Sequence, residues 1–364
     1  MTFYILIFTL FSLFALIGRS RHLSHPHLSY QDNSIDFLWF CVLIFLTLMI
    51  GFRYEIGGDW IAYLNYSDFI TSVKSISTHL SIINDPAYTF LNWFSGRIGA
   101  GIYGVNLFCG LLFSYGTIKL CRSLPRPFLA LVAAFPYLII VLSMGYSRQA
   151  AALGIALIAI TKLVRFRVIQ FLILIFLAAM FHKTALILLS LILIAFTGNK
   201  IKAFFLVSIF FIPIYFLVLQ DAVAELFLYY YIDNAYDSNG ALIRLSMIFF
   251  PSIILILWPS RFPMNPVEMN IWKAMAYASI FLFLAFFVVD ASTAIDRLAL
   301  YLLPIQLVVV SHLPEIFGKH GEQRQWILIG IILIYFIIMI VWLSFSPFSY
   351  TWMPYKSILF LSHL

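Results

Sequence analysis

The chain has 364 residues, of which 63% are hydrophobic and 10% charged, and its mean hydropathy is +1.01. A soluble domain is nearer half apolar and a quarter charged, so the composition excludes a water-soluble globular protein and predicts an all-α, polytopic integral membrane protein. The net charge of +7 does not require a nucleic-acid partner, because the cytoplasmic loops of membrane proteins are enriched in Lys and Arg.

Apolar runs along the chain predict the membrane spans. A spanning helix needs about 20 apolar residues, and on this criterion we predict about 12 transmembrane helices, some of them short or broken, in one transmembrane domain, 1–364. The predicted spans are 2–18, 36–52, 102–121, 128–144, 148–164, 168–181, 184–197, 203–219, 245–259, 272–289, 297–313 and 326–345. An outer loop, 53–101, holds residues 86–98 as a re-entrant or interfacial helix, and a second outer loop covers 220–244.

The positions of Lys and Arg set the predicted orientation. Most of the 22 Lys and Arg fall inside if the loops 19–27, 119–126, 162–167, 198–202, 260–273 and 315–324 are cytoplasmic. This arrangement requires 168–197 to fold back as two short spans, with His182 and Lys183 at the outer turn. Both termini are then predicted on the outer side.

Five cations stand at predicted outer helix ends, where Lys and Arg are expected to be scarce. They are Arg53, Arg148, Lys183, Arg244 and Arg297. Four of them open helices that run inward, and a helix N-terminus already carries a partial positive charge. Several cations there favour a bound anion such as a diphosphate. In the alternative, each cation pairs with a nearby outer acid, such as Arg297 with Asp296.

The stretch Arg53–Trp60, which reads RYEIGGDW, directly follows the second predicted span. It places Arg, Glu and Asp at the mouth of a span, and its two glycines allow a tight turn or a close approach to a ligand. Alternatively, the Arg only reaches along the lipid to the water boundary and the glycines only form a turn.

Two further breaks repeat this pattern. In the sequence GYSRQ, Ser147 is predicted to cap the helix that Arg148 opens. In the sequence FHKT, Thr184 is the predicted cap, and His182 lies beside a cation at membrane depth. A lone His is more often structural, but a titratable group at this depth is also a candidate proton acceptor.

Aromatic and polar side chains near these cations are candidate sugar contacts. They are Trp60, Tyr63, Gln149, Tyr230 and Asp233. Aromatic faces stack on sugar rings while carboxylates and amides bind hydroxyls, although Tyr and Trp are equally common in the interfacial belt. The segment 348–355 allows the same two interpretations.

Motifs of soluble enzymes are absent from the sequence. It has no Walker loop, dinucleotide-binding fingerprint, HExxH or GxSxG. A DxD-type pair, typical of metal-dependent membrane glycosyltransferases, is also missing from the first outer loop. We therefore predict no metal and no other cofactor.

Four ordered blocks carry a family resemblance. They are Arg53–Tyr63, Ser147–Leu157, Phe181–Leu189 and Asp296–Pro304, separated by apolar spans. In this order they resemble the EpsG family of polysaccharide polymerases, the Wzy-like proteins of O-antigen, capsule and exopolysaccharide synthesis. The resemblance implies a metal-independent membrane glycosyltransferase at the outer face of the bacterial plasma (inner) membrane, whose substrate is an oligosaccharide carried on undecaprenyl diphosphate.

The resemblance also implies an order of events. The growing chain passes from one lipid carrier to another carrier's repeat unit, in the lipid bilayer, beside a chain-length regulator and a flippase of the same pathway. Arg148 and the other cations would stabilise the departing diphosphate, and Asp59 or His182 would accept the proton of the attacking hydroxyl. Alternative functions are a flippase or transporter of lipid-linked oligosaccharide, an O-antigen-ligase-like transferase, or an assembly partner without chemistry.

Overall fold

The computed structural model describes residues 1–18, 20, 36–80, 85–197, 205, 209, 240–288 and 292–360, and these residues form helices joined by turns. The helices are α1 (Thr2–Ile17), α2 (Phe37–Gly51), α3 (Trp60–Ser72), α4 (Pro86–Arg97), α5 (Gly101–Arg122), α6 (Pro127–Gly145), α7 (Ser147–Val164), α8 (Val168–Phe181), α9 (Ser190–Phe196), α10 (Ala241–Leu257), α11 (Pro266–Ala285), α12 (Ser292–Ala299), α13 (Pro304–Phe317) and α14 (Gly321–Phe345). Short 3₁₀ turns occupy Ser77–His79, Lys183–Leu189, Pro259–Arg261, Ser349–Thr351 and Ile358–Phe360.

The helix lengths confirm an all-α polytopic membrane protein. Within the described residues, α5, α6, α7, α11 and α14 are long and apolar enough to cross a membrane, and six shorter apolar segments accompany them. Each of these segments overlaps a predicted span. The predicted span 203–219 and most of the loop 220–244 lie outside the described residues, apart from a few positions.

The two central helices are α6 and α7. Other parts of the protein bury 94% of an apolar 18-residue stretch of α6 and 83% of the corresponding stretch of α7. Helix α6 packs against α1, α5, α13 and α14 and has a π-helical part, Phe135–Leu142. Pro136 lies in this part and has no N–H to donate, which favours a departure from regular α-helical hydrogen bonding.

Glycines bring α5 and α7 into close contact. A Cβ atom on Gly154 of α7 would lie 2.5 Å from the Cα of Phe113 and closer still to the carbonyl oxygen of Leu112. A Cβ on Gly116 of α5 would overlap the backbone of Gly154. Small residues at such crossings let two backbones approach, and this contact fixes the position of α7 relative to α5.

Several local predictions are wrong. Helix α3 was not expected, because Trp60–Ser72 mixes polar with apolar residues and is too short to span. The predicted span 297–313 is broken between α12 and α13, since Pro304 occupies the first turn of a new helix. Thr184 does not cap a helix, because its hydroxyl donates to the Tyr301 hydroxyl at 3.3 Å.

Ion pairs collect basic residues at one end of the bundle. Arg122 pairs with Asp36 at 2.7 Å. Arg126 and Arg324 both pair with Glu315, at 2.9 and 3.0 Å. Two of the loops predicted to be cytoplasmic, 119–126 and 315–324, therefore meet at this end, and the predicted site residues lie elsewhere.

Candidate functional site

The loop between α2 and α3 is held by residues 346–360, which fold back against it. The backbone N–H groups of Tyr54 and Gly57 donate to the carbonyls of Lys356 and Thr351, both at 3.0 Å. Gly57 has a φ of +105°, and a Cβ there would lie 2.5 Å from the carbonyl oxygen of Met144. This position therefore requires glycine, and the loop packs directly on the end of α6.

Arg53 lies beneath this loop and is 1% exposed. Its guanidinium donates to the carbonyl of Ile50 at 2.6 Å, to Asn106 Oδ1 at 3.0 Å and to Ser147 Oγ at 2.7 Å. All three acceptors are neutral, and the described residues offer it no carboxylate. Burial lowers the pKa of Arg53 to about 10, so the group stays charged at neutral pH. Ser147 serves this contact and does not cap α7 as predicted.

Asp85 connects three parts of the chain around Arg148. Its side chain is 5% exposed, and Oδ2 accepts from Arg148 Nη1 at 3.1 Å. The same oxygen lies 3.5 Å from His182 Nδ1, and Oδ1 accepts from the Lys183 backbone N–H at 3.2 Å. His182 Nε2 lies 3.0 Å from the Gln149 side-chain nitrogen, which can only donate. His182 is therefore held between an amide donor and a carboxylate acceptor.

Asp59 and Arg297 extend the same charged group. Asp59 is exposed at the start of α3, and within the described residues its carboxylate has no hydrogen-bond partner. Surrounding protein raises the pKa of Asp59, while the charges of Arg297 and Arg148 act to lower it. Burial lowers the pKa of His182, and the positive charges of Arg148 and Arg297 lower it further. Arg148 and Arg297 thus lie within electrostatic range of both Asp59 and His182.

The arrangement of the cations differs from the prediction that four of them open helices. Arg148 and Arg244 lie in the first turns of α7 and α10, but Lys183 opens a 3₁₀ turn and Arg297 lies in the last turn of α12. A cation at a helix C-terminus is favourable, because the helix dipole is negative there. Arg244 lies over the ring of Tyr137, 5.3 Å from its centroid.

The predicted sugar contacts are mostly buried. Trp60 and Tyr63 are 8% and 9% exposed, and Gln149 is 7% exposed. Tyr63 lies under Arg148 with its ring centroid 5.8 Å from the guanidinium carbon, and Tyr88 lies at 5.7 Å. Tyr230 and Asp233 lie outside the described residues, as does the side chain of Asp296.

The sequence analysis did not select Asp85, Tyr88 or Asn106. The signal for Asp85 is its position before Pro86, because an acid followed by Pro is typical of a helix N-terminus. No comparable local signal marks Asn106, in the middle of an apolar helix. The described residues contain no group of three His, Cys, Asp or Glu that could hold a metal ion.

Comparison with protein-family models decides the family. The model of the EpsG family matches residues 36–357, nearly the whole chain. The chain belongs to the EpsG family. This family is related to the Wzy-like polysaccharide polymerases, and membership supports a polymerase-like role in polysaccharide biosynthesis on a lipid-linked substrate in a bilayer. Comparisons with curated proteins and with solved structures find no match.

The matched range of this EpsG-family protein contains the whole charged group. Arg53 and Asp59 belong to the first of the four sequence blocks, Arg148 to the second, His182 to the third and Arg297 to the fourth. Helix packing and the folded-back segment 346–360 bring residues of all four blocks to one end of the bundle.

Proposed function

We propose that this EpsG-family protein polymerises oligosaccharide repeat units linked to undecaprenyl diphosphate at the outer face of the bacterial plasma membrane. The observation that supports the proposal is the convergence of Arg148, Arg297, Asp59 and His182 at the end of the bundle opposite the basic loops. Two cations beside an exposed carboxylate suit a reaction with an anionic leaving group and a hydroxyl nucleophile.

The diphosphate of the donor is assigned to Arg148 and Arg297. The Arg148 side chain is 43% exposed and has five N–H groups, of which one donates to Asp85 and another is hydrogen-bonded to the Tyr63 side chain. Arg297 is exposed and has no hydrogen-bond or ion-pair partner in the described part of the chain. Arg53 adds positive charge from behind Ser147, and Lys183 and Arg244 complete the proposed set. These charges would stabilise the diphosphate as it leaves.

Asp59 is the proposed general base. Its exposed carboxylate has room for an acceptor hydroxyl, whereas His182 Nε2 already accepts a hydrogen bond from Gln149. In the reaction, the acceptor oxygen bonds to the anomeric carbon of the growing chain, and the bond from that carbon to the diphosphate breaks. The proton passes to Asp59 and the electron pair to the leaving diphosphate. One such displacement inverts the anomeric centre.

Sugar recognition is assigned mainly to the loop 220–244. Trp60, Tyr63 and Gln149 are each less than a tenth exposed, so they offer little surface to a sugar. Tyr230 and Asp233 in that loop remain the proposed sugar contacts. The three buried residues are instead assigned a structural role beneath the site, where Tyr63 packs against Arg148 and Gln149 contacts His182.

The test is elongation by the purified protein in liposomes that contain one lipid-linked repeat unit. The proposal expects products longer than one unit without any added metal, chain-length regulator or flippase. Movement of the substrate across the bilayer without elongation would instead support a flippase. Transfer only to an acceptor of a different kind would support a ligase-like transferase. The Arg148→Ala variant is the control for contaminating activity.

A further inference from the structure

We propose that Asp85 is a positioning residue of this site, whose carboxylate directs Arg148 towards the diphosphate and fixes His182 and the turn after α8. The part of this inference that concerns turnover rests on the proposed function. The part that concerns His182 does not, because it is measured without substrate.

The contacts of Asp85 converge on residues of the site. From the position before α4, its two oxygens reach Arg148 in α7, the His182 ring, and the backbone N–H of Lys183. Asp85 has a φ of +50°, a left-handed conformation that Asp tolerates better than most residues. The backbone is thus bent at the point where the carboxylate can meet three elements at once.

The difference in exposure between Asp85 and Arg148 favours a positioning role for Asp85 over a purely structural one. Asp85 is 5% exposed, whereas Arg148 is 43% exposed. One end of the guanidinium is therefore anchored on a buried carboxylate while other N–H groups remain available to a ligand. Anchoring a long side chain before binding removes rotamer freedom that the diphosphate would otherwise have to restrict. The Arg148 guanidinium also lies over the rings of Tyr63 and Tyr88, and these contacts further restrict the positions that the side chain can take.

The pKa of His182 depends on the charge of Asp85, so its titration tests the role of Asp85 without any measurement of turnover. The charged and titratable groups around it are Asp85, Arg148, Arg297, Lys183 and, near Asp85, Tyr301. Burial lowers the pKa of His182, the hydrogen bond and charge of Asp85 raise it, and the two arginines lower it. Removing the carboxylate charge takes away the coulombic part of the raising effect and weakens the hydrogen bond, so the His182 titration should move to lower pH.

The experiment compares Asp85→Asn with Asp68→Asn in the full-length protein. Asn keeps the shape and one acceptor oxygen but loses the charge. Asp68 is an exposed acid on α3 and serves as the matched control. Elongation is measured in liposomes, and the His182 titration is followed by NMR of the labelled imidazole, assigned with His182→Gln. Thermal unfolding in detergent identifies variants that fail to fold.

The expected result for Asp85→Asn is a rate about a hundredfold below wild type, as for a misplaced reacting group, and a His182 titration at lower pH. Asp68→Asn should change neither. Asp85→Glu, which restores the charge on a longer side chain, should return the titration towards wild type and recover part of the rate. Elongation near the wild-type rate in a folded Asp85→Asn variant would overturn the proposal, as would an unchanged titration. A wild-type protein that makes no polymer would refute the proposed function, and the titration would then decide whether Asp85 holds His182.

Discussion

Replacing Arg148 with Lys separates charge from geometry at the candidate site. Arg148 donates to Asp85 at 3.1 Å, and its guanidinium lies over the rings of Tyr63 and Tyr88. Lys keeps the positive charge and the ion pair. It loses the planar group that can donate two parallel hydrogen bonds to phosphate oxygens.

The two consequences of this change differ in size. The folding cost should be small for Lys, because it keeps the ion pair with Asp85. It should stay modest for Ala, because the Arg148 side chain is 43% exposed and the buried Asp85 carboxylate keeps its contacts with His182 and the Lys183 backbone N–H. A charge-assisted contact that strengthens as the leaving group departs is worth about 3 kcal/mol, or roughly a hundredfold in rate. We therefore expect Arg148→Lys and Arg148→Ala to accumulate normally, and both to stop or severely shorten polymerisation.

The assay is polymer length and amount at matched levels of membrane protein. Arg97→Lys is the matched control, because Arg97 is an exposed arginine at the end of α4 whose guanidinium lies 5.4 Å from the Trp93 ring centroid, outside the contacts of Asp85. Near-normal polymer from Arg148→Lys would refute the two-bond grip on the diphosphate. Near-normal polymer from Arg148→Ala would refute the assignment of the site.

Three further predictions test the base, the helix packing and the topology. Asp59→Asn should abolish polymer at normal protein levels, and wild-type chain length in this variant would exclude Asp59 as the base. In the wild-type protein, polymerisation should be lost as the pH falls through the raised pKa of Asp59, because a base must be deprotonated. Gly154→Val should destabilise the protein by about 1–3 kcal/mol in thermal unfolding, whereas Gly330→Val, in open space, should not; equal stability would contradict the close crossing. With single cysteines in a Cys-free background, Ser238→Cys should react with an impermeant thiol reagent on whole cells and Ser260→Cys should not, and equal labelling would contradict the two-span fold-back.

The sequence predicted the spans well because a span is a local property. Apolar runs between basic loops mark helices wherever the chain folds, and the apolar helices among the described residues overlap the predicted spans. Arg148 and His182 could also be selected, since each adjoins a break in an apolar run. The break at Pro304 was missed because the apolar run continues through it, and so Arg297 was placed at the wrong end of a helix.

Contacts between distant segments could not be predicted. Asp85 and Arg148 are 63 residues apart, and their pairing depends on how α4, α7 and α8 pack. Ser147 has the sequence signature of a cap, but the buried Arg53, 94 residues earlier, takes its hydroxyl instead. A buried cation without a carboxylate needs every available neutral acceptor, and this demand overrode the local preference of Ser147.

The folded-back segment 346–360 also determines when, during synthesis of the chain, the loop between α2 and α3 can reach its final structure. It is synthesised after every other described part of the site, yet Tyr54 and Gly57 depend on it for their backbone hydrogen-bond acceptors. The Trp352 indole adds a bond to the carbonyl of Ile140 at 2.9 Å, far back in α6. Until the ribosome has released this segment, the loop that carries Asp59 lacks its support. The loop that carries Asp59 is therefore fixed in place only after the helices that precede this segment have been synthesised.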